Sequence, residues 1–240
     1  MIPPSLRAAV RHLTVVPVPY DPAEAGAARA RVLAWFPLVG LGIGCAVWAT
    51  LRLPLPPLAG AAVALAVWTF VTGALHEDGF LDCADAALAT VPRARRLEIL
   101  DDPHVGAHAV TAGGVLLLAR FAGLASAPAA AALAAPVIGR WCMALTLALL
   151  RPAKPRGLGA DFAQGARVGP PAAVAAVVLV TLGAFGDALR VGGSAAAGLA
   201  AGLAAAAFLA GRFGGVSGDV HGAAGLVAET AALLAYGAWP

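Results

Sequence analysis

Apolar residues fill this chain in long runs, and charged residues are largely confined to the gaps between them. Val32 to Leu51 and Pro57 to Leu75 carry no charge. Ala109 to Ala127 is interrupted only by Arg120, and Pro128 to Leu150 only by Arg140. Val168 to Gly186 and Val191 to Gly211 are again free of charge, and Gly222 to Trp239 contains only Glu229. A helix that crosses a bilayer needs about 20 mostly apolar residues. The pattern therefore predicts an all-α, polytopic integral membrane helix bundle with six to seven transmembrane helices, the last run being the shortest.

Composition supports that pattern. The chain is 60% hydrophobic and 12% charged, with a mean hydropathy of +0.84. Soluble domains carry roughly 25% charged residues. The 240 residues suit one membrane-embedded domain over 1–240 rather than an anchor joined to a soluble module. No basic patch is interleaved with aromatics, which argues against a nucleic-acid partner. The three cysteines, Cys45, Cys83 and Cys142, are odd in number and lack CxxC spacing, so free thiols are expected. Arg7, Arg11 and His12 precede a first run of full spanning length, the pattern of an uncleaved membrane protein rather than a secretory signal.

Loop charge sets an orientation. With the N-terminus inside, the inner segments hold Arg7, Arg11, Arg29, Arg31, Arg93, Arg95, Arg96, Arg151, Lys154, Arg156, Arg167 and Arg212; the outer loops hold Arg52 and Arg190. Basic residues concentrate in cytoplasmic loops. The bias predicts a cytoplasmic N-terminus in a bacterial inner (cytoplasmic) membrane. It also predicts that the segments around 76–102, 151–167 and 212–222 share the cytoplasmic face. Small residues at four-residue spacing, Gly40 and Gly44, Gly198 and Gly202, Gly211 and Gly215, suit close helix packing within the bundle; a homo-oligomer contact is the other use of such a pattern.

Seven of the thirteen acidic residues fall between Glu77 and Asp102. Asp78, Asp82 and Asp85 are spaced i, i+4 and i+7, which places them on one face of a helix, whether the second apolar helix continues or a new one starts near His76. Three carboxylates on one stripe repel unless a cation joins them. Hard oxygen ligands select ions such as Mg²⁺, Mn²⁺ or Ca²⁺, against the plainer alternative of a solvated acidic loop balanced by Arg93, Arg95 and Arg96. Asp102 before Pro103 has the form of a helix N-cap with proline at the first position. His104 and His108 are four apart, and a phosphate contact suits such a histidine better than zinc, which lacks a third ligand here. Arg120 and Arg140 lie inside apolar runs, where an arginine needs a polar cavity or a partner. Arg120 is expected to snorkel or to pair with Glu229, and Arg140 to face the site, where a guanidinium suits a diphosphate. Gly157-Leu158-Gly159 follows a basic segment, and the glycine-rich turn Gly214 to Gly222 places Asp219 at the same level. No GxxxxGK[ST], HExxH or nucleophile elbow is present. Carboxylates, arginines and glycine turns suit metal-assisted phosphoryl transfer.

With these residues in view, the chain resembles the cobalamin synthase (adenosylcobinamide-GDP ribazoletransferase) family over nearly its whole length. The most specific segment is Thr72-Gly73-Ala74-Leu75-His76-Glu77-Asp78-Gly79-Phe80-Leu81-Asp82-Cys83-Ala84-Asp85, similar to the family's T-G-x-x-H-x-D-G-L-x-D-x-x-D-G. Thr14 to Pro19, Trp35 to Gly40, Glu98 to Gly106, Gly139-Arg140, Arg156 to Gly159 and Ser217 to Ala223 resemble its other motifs, and Glu229 keeps the family spacing. The chain departs from them at Val15, where arginine is usual, at Ala86 for glycine, at Gly139 for serine, and at Glu77 for an apolar residue. The resemblance implies a membrane enzyme that joins adenosylcobinamide-GDP to alpha-ribazole or its 5'-phosphate and releases GMP. Taken with the residues above, it gives an expected site. Asp78, Asp82, Asp85 and Asp219 hold Mg²⁺, with Asp82 also catalytic. Arg140 neutralises phosphate charge, and His76 or His104 serves as base. Gly79, Asp102, Gly106, Gly157, Gly159 and Gly218 bind substrate. Two rivals are weaker. A CDP-alcohol phosphotransferase motif is not met after Asp78-Gly79. A cation- or proton-coupled transporter would spread its acids at mid-membrane depth.

Overall fold

The computed structural model describes residues 2–19, 31–153, 162 and 166–238; Gly157 and Gly159 lie outside these. Among the described residues the chain is helical with no strand. Helix α1 covers Pro4–Leu13, and a short 3-10 turn, Leu33–Trp35, leads into α2, Phe36–Leu51. Then come α3 (Pro57–Val71), α4 (Leu75–Leu88), α5 (Arg93–Leu100), α6 (Ala107–Ser126), α7 (Ala131–Leu149), α8 (Gly169–Phe185), α9 (Ala188–Phe213) and α10 (Gly218–Ala238).

Each of the seven apolar runs forms a helix, but fewer meet the requirements of a full span. The turn-plus-α2 unit, α6, α7 and α9 are long and apolar enough to cross a membrane, and α3 with α4 would make a fifth if counted together. Helix α3 at 15 residues and α8 at 17 are shorter than a straight crossing requires, and α10 carries Glu229 in its middle.

The bundle is organised around α7 and α10, whose side chains are mostly buried. Glycine lets α2 approach α7: a Cβ on Gly44 would lie 2.7 Å from the Ala132 carbonyl oxygen, and one on Gly40 would collide with that of Pro136. Pro136 sits inside α7 and cannot donate to the Ala132 carbonyl. Gly198 and Gly202 of α9 approach α10 equally closely: a Cβ on either would lie 2.7 Å from a carbonyl oxygen, that of Ala228 or of Ala224 respectively. These two glycine pairs are thus used for packing inside the chain. The three cysteines are free thiols, as expected.

One end of the bundle gathers the loops that matter. Arg93 donates from Nε to the Phe213 carbonyl at 2.9 Å, and Arg212 to the Ala87 carbonyl. Val216 pairs with the segment after α7 through Val216 N–H to Arg151 O, 2.8 Å, and Ala153 N–H to Val216 O, 2.9 Å. The ends of α4, α7 and α9 and the start of α10 therefore lie together. The opposite end holds the α6–α7 turn, where Ala127 lies against Gly237.

Candidate active site

Helix α4 decides the geometry. It does not continue α3: the two are bent by 89° across a break at Thr72–Ala74. Gly73 has φ 64° and Ala74 φ 54°. That left-handed pair stops α3, costs strain at the alanine, and starts a new helix at Leu75. The stripe predicted for Asp78, Asp82 and Asp85 is therefore real, on a helix of its own, and α4 alone is too short and too acidic to span. At 100° per residue, His76 lies about 120° around the helix from Asp82 and about 160° from Asp78.

The two sides of α4 meet different surroundings. On the stripe, Asp78 is exposed and Asp82 and Asp85 are half-buried. Helix α10 brings Asp219 alongside: a Cβ on Gly79 would lie 2.8 Å from the Asp219 Cα, so only glycine permits this approach. Burial, and the charges of Asp78, Asp219 and Asp85, push the Asp82 carboxyl up to about 6. Four carboxylates from two helices thus share one electrostatic neighbourhood.

Asp85 also has a second occupation. Its carboxylate accepts the N–H of Gly106 at 2.5 Å and of Ala109 at 2.9 Å, capping the first turn of α6 from another helix. Gly106 is the N-cap residue, and a side chain there would collide with that carboxylate, 2.7 Å away. This corrects the expectation that Asp102 caps a helix beginning at Pro103. Asp102 is exposed in the loop, accepting from His104 N–H at 3.0 Å and pairing with the His104 ring at 2.7 Å. That hydrogen bonding to His104 holds the Asp102 carboxyl below its usual range. Gly218, the first residue of α10, has open space around its Cα. Ser217 caps this helix through its Oγ to Val220 N–H at 3.3 Å, and donates to Asp219 at 3.1 Å. Ala86 lies within α4, fully buried, so no turn is needed where the family has glycine.

The other side of α4 enters a buried ionic cluster. Arg120 of α6 donates to Glu77 at 2.7 Å and to Glu229 of α10 at 3.4 Å, with its guanidinium over the Trp68 ring, 4.4 Å from the centroid. Arg140 of α7 pairs with Glu229 and lies 3.5 Å from Nδ1 of His76. A side chain on Gly139 would collide with Glu229, which explains the missing serine. Arg120, Arg140 and Glu229 are fully buried, and Glu77 nearly so. Two cations and two anions balance, as burial requires. Arg120 pairs with Glu229 as expected, and also with Glu77. Arg140, expected on the diphosphate, pairs with Glu229 among the described residues. His76, expected as a base, is buried in this cluster with its Nε2 unpartnered among the described residues, on the side of α4 away from the carboxylate stripe. His104 is in an exposed loop contact with Asp102. Further on, His12 stacks near His221, ring centroids 6.2 Å apart, and near Phe36 and Phe162. Nothing in the sequence marked these contacts. The Glu77 pairing had a signal: lone charges in apolar runs must find each other.

Among the described residues, no three His, Cys, Asp or Glu side chains are placed to hold one metal ion by themselves.

Known proteins share this sequence pattern. A family profile described as Cobalamin-5-phosphate synthase matches residues 5–237. The adenosylcobinamide-GDP ribazoletransferase of Deinococcus radiodurans is 36% identical over 97% of this chain and 85% of its own length. Those of Stutzerimonas stutzeri and Thiobacillus denitrificans are each 36% identical, over 94% and 95% of this chain and 94% and 93% of their own lengths. No solved structure matches. The chain belongs to the cobalamin-5-phosphate synthase family.

Proposed function

We propose that this chain is a membrane transferase that joins adenosylcobinamide-GDP to alpha-ribazole, or to its 5'-phosphate, and releases GMP. The observation that carries this is the near-full-length family match, together with a face where Asp78, Asp82, Asp85 and Asp219 converge from two helices. The reaction is an attack of the ribose hydroxyl on the phosphorus that bears the corrinoid arm, with GMP leaving. No nucleophilic side chain is required, and positioning and charge neutralisation are the protein's task.

The donor set suits Mg²⁺. Its carboxylate oxygens are hard, burial and then their mutual repulsion raise Asp82, and Mg²⁺ is commonly held by one or two carboxylates plus substrate phosphates rather than by a full protein cage. One or two of Asp78, Asp82 and Asp219 would hold it together with substrate phosphate, and Asp85 is divided between this charge and the α6 cap. Bound there, the ion would neutralise the diphosphate and its leaving group. The N-terminus of α10 at Gly218 lies beside Asp219, and a helix N-terminus favours phosphate. Asp82, titrating near 6, is ionised at neutral pH when a cation approaches. We place this face on the cytoplasmic side of a bacterial inner membrane, a reading supported by the basic residues at the same end, Arg93, Arg151 and Arg212.

Purified protein given adenosylcobinamide-GDP, alpha-ribazole and Mg²⁺ should release GMP in step with cobalamin formation. No GMP release, with an active relative as control, would overturn the proposal. Release without Mg²⁺ in chelator would overturn the metal assignment alone.

A further inference from the structure

Three arginines at the loop end of the bundle donate to backbone carbonyls and tie α4, α5 and α9 into a triangle. Arg212, in the last turn of α9, donates from Nε at 3.0 Å and from Nη2 at 2.5 Å to the Ala87 carbonyl in the last turn of α4. Arg96 of α5 reaches back to the carbonyl of Ala89, the residue that closes α4, at 3.4 Å from Nε and 3.3 Å from Nη2. Arg93, the first residue of α5, donates from Nε at 2.9 Å to the carbonyl of Phe213, the last residue of α9. Carbonyls in the last turn of a helix have no partner within it, and a cation there also complements the helix dipole.

The Arg93 side of the triangle bears on the carboxylate face. Gly214 follows Phe213 at φ 83°, and a Cβ on it would collide with the Arg93 guanidinium. The guanidinium therefore rests against the Gly214 Cα, where only glycine leaves room. From Gly214 the chain runs through Gly215, Val216 and Ser217 into α10 and Asp219. Val216 is held on its other side by Arg151 and Ala153. The far end of α5, at Asp101, lies close enough to Asp219 for its charge to act there. Arg93 is exposed, and among the described residues it makes no bond to Asp78, Asp82, Asp85 or Asp219.

We propose that Arg93 is a positioning residue for the carboxylate face: by holding the α9–α10 corner on α5, and through α5 on α4, it sets Asp219 against Asp82 and Asp78 at the spacing that Mg²⁺ requires. This rests on the transferase reading above and on its metal assignment. Mg²⁺ demands near-ideal octahedral geometry with short metal–oxygen distances, whereas Ca²⁺ accepts longer and irregular ones. A corner that relaxes should therefore cost Mg²⁺ more than Ca²⁺. Charge acts in the opposite sense. Removing a cation near several carboxylates strengthens the binding of any divalent ion, so positioning and plain electrostatics differ in sign.

The experiment is calorimetric titration of Mg²⁺ and of Ca²⁺ into purified wild-type and Arg93→Ala protein, with GMP present to supply a phosphate ligand. The expected result is Mg²⁺ affinity weaker by about ten-fold, with Ca²⁺ affinity kept within about two-fold. GMP release from the two substrates should then need correspondingly more Mg²⁺, with the loss concentrated at low Mg²⁺. Tighter binding of both ions would reduce Arg93 to a charge effect and overturn the proposal. Equal weakening of both ions, or unchanged affinities with lower thermal stability, would also overturn it. Should Arg93→Ala not insert, Arg93→Met, which keeps the stem and drops the donors, is read in the same way. Wild-type protein that binds no Mg²⁺ yet releases GMP would overturn the metal assignment and this proposal together, and leave the transferase reading standing. Wild-type protein that binds Mg²⁺, with Arg93→Ala binding it equally well, would overturn this proposal alone.

Discussion

Helix α4 carries two kinds of acid on two sides. Glu77 faces inward, on a buried arginine that a second glutamate also contacts. Asp78, Asp82 and Asp85 face the end of the bundle, crowded with Asp219. The difference teaches how to read a carboxylate in a membrane protein. An acid whose charge is already matched by a buried partner is architecture. An acid such as Asp82, raised by burial and by neighbouring acids with no basic side chain against it among the described residues, is a candidate to take a ligand. The inner cluster also fixes α4 against α6, α7 and α10, so the outer stripe is presented rigidly.

Breaking the outer side should have the largest effect. Asp82→Asn should lower transfer by roughly 10²–10³-fold while membrane insertion and thermal stability are kept. Assaying GMP release per inserted molecule checks this, and near-normal activity at saturating Mg²⁺ would remove Asp82 from the metal site.

Breaking the inner side should act on stability. Arg120→Met leaves Glu77 and Glu229 buried with too little positive charge. Losing one partner of a buried pair costs about 3–5 kcal/mol. Thermal unfolding in detergent should show that loss, and residual folded protein should still turn over. Asp85→Ala tests the residue that belongs to both. Loss of an N-cap costs about 0.5–2 kcal/mol, so a modest fall in stability is expected, with a smaller fall in transfer than for Asp82→Asn. Equal falls in transfer for both variants would make Asp85 a full ligand.

The smallest effect is a pH dependence. Asp82 titrates at about 6 in the folded chain against 3.8 for the free carboxyl. Its raised pKa means that the folded state holds the proton more tightly. In metal-free protein this contribution to stability is present below about pH 4 and is lost as pH rises through about 6. Divalent cation affinity should run the other way, rising through the same window. Asp82→Asn should flatten both profiles, as thermal melts with and without Mg²⁺ would show.

Much of the fold is legible from the order of residues. Each apolar run becomes a helix, because hydrophobicity in long runs is a local property. The i, i+4, i+7 stripe survives for the same reason. What is not legible comes from pairing at a distance. Arg120 and Glu229 are 109 positions apart in the chain, and the commitment of Arg140 to Glu229 emerges only once α7 and α10 are packed. The cap of α6 is misplaced by the local proline signal at Asp102-Pro103, which competes with a carboxylate 21 residues upstream of Gly106 that no local rule can see. The 89° turn at Gly73–Ala74 has half a signal, since glycine permits positive φ but an alanine at φ 54° gives no warning. His76 illustrates the cost: adjacent to the acidic motif, it sits on the opposite side of the same helix.

The central claim is that one side of α4 performs chemistry and the other builds the fold. Its most direct test is GMP release from adenosylcobinamide-GDP and alpha-ribazole, normalised to folded, membrane-inserted protein, for wild type, Glu77→Gln and Asp82→Asn side by side. The account predicts that Glu77→Gln loses stability yet keeps activity per folded molecule within about ten-fold of wild type, while Asp82→Asn stays folded and loses roughly 10²–10³-fold of its transfer. A folded Glu77→Gln protein as inactive as Asp82→Asn, or an Asp82→Asn protein with wild-type turnover, would contradict it.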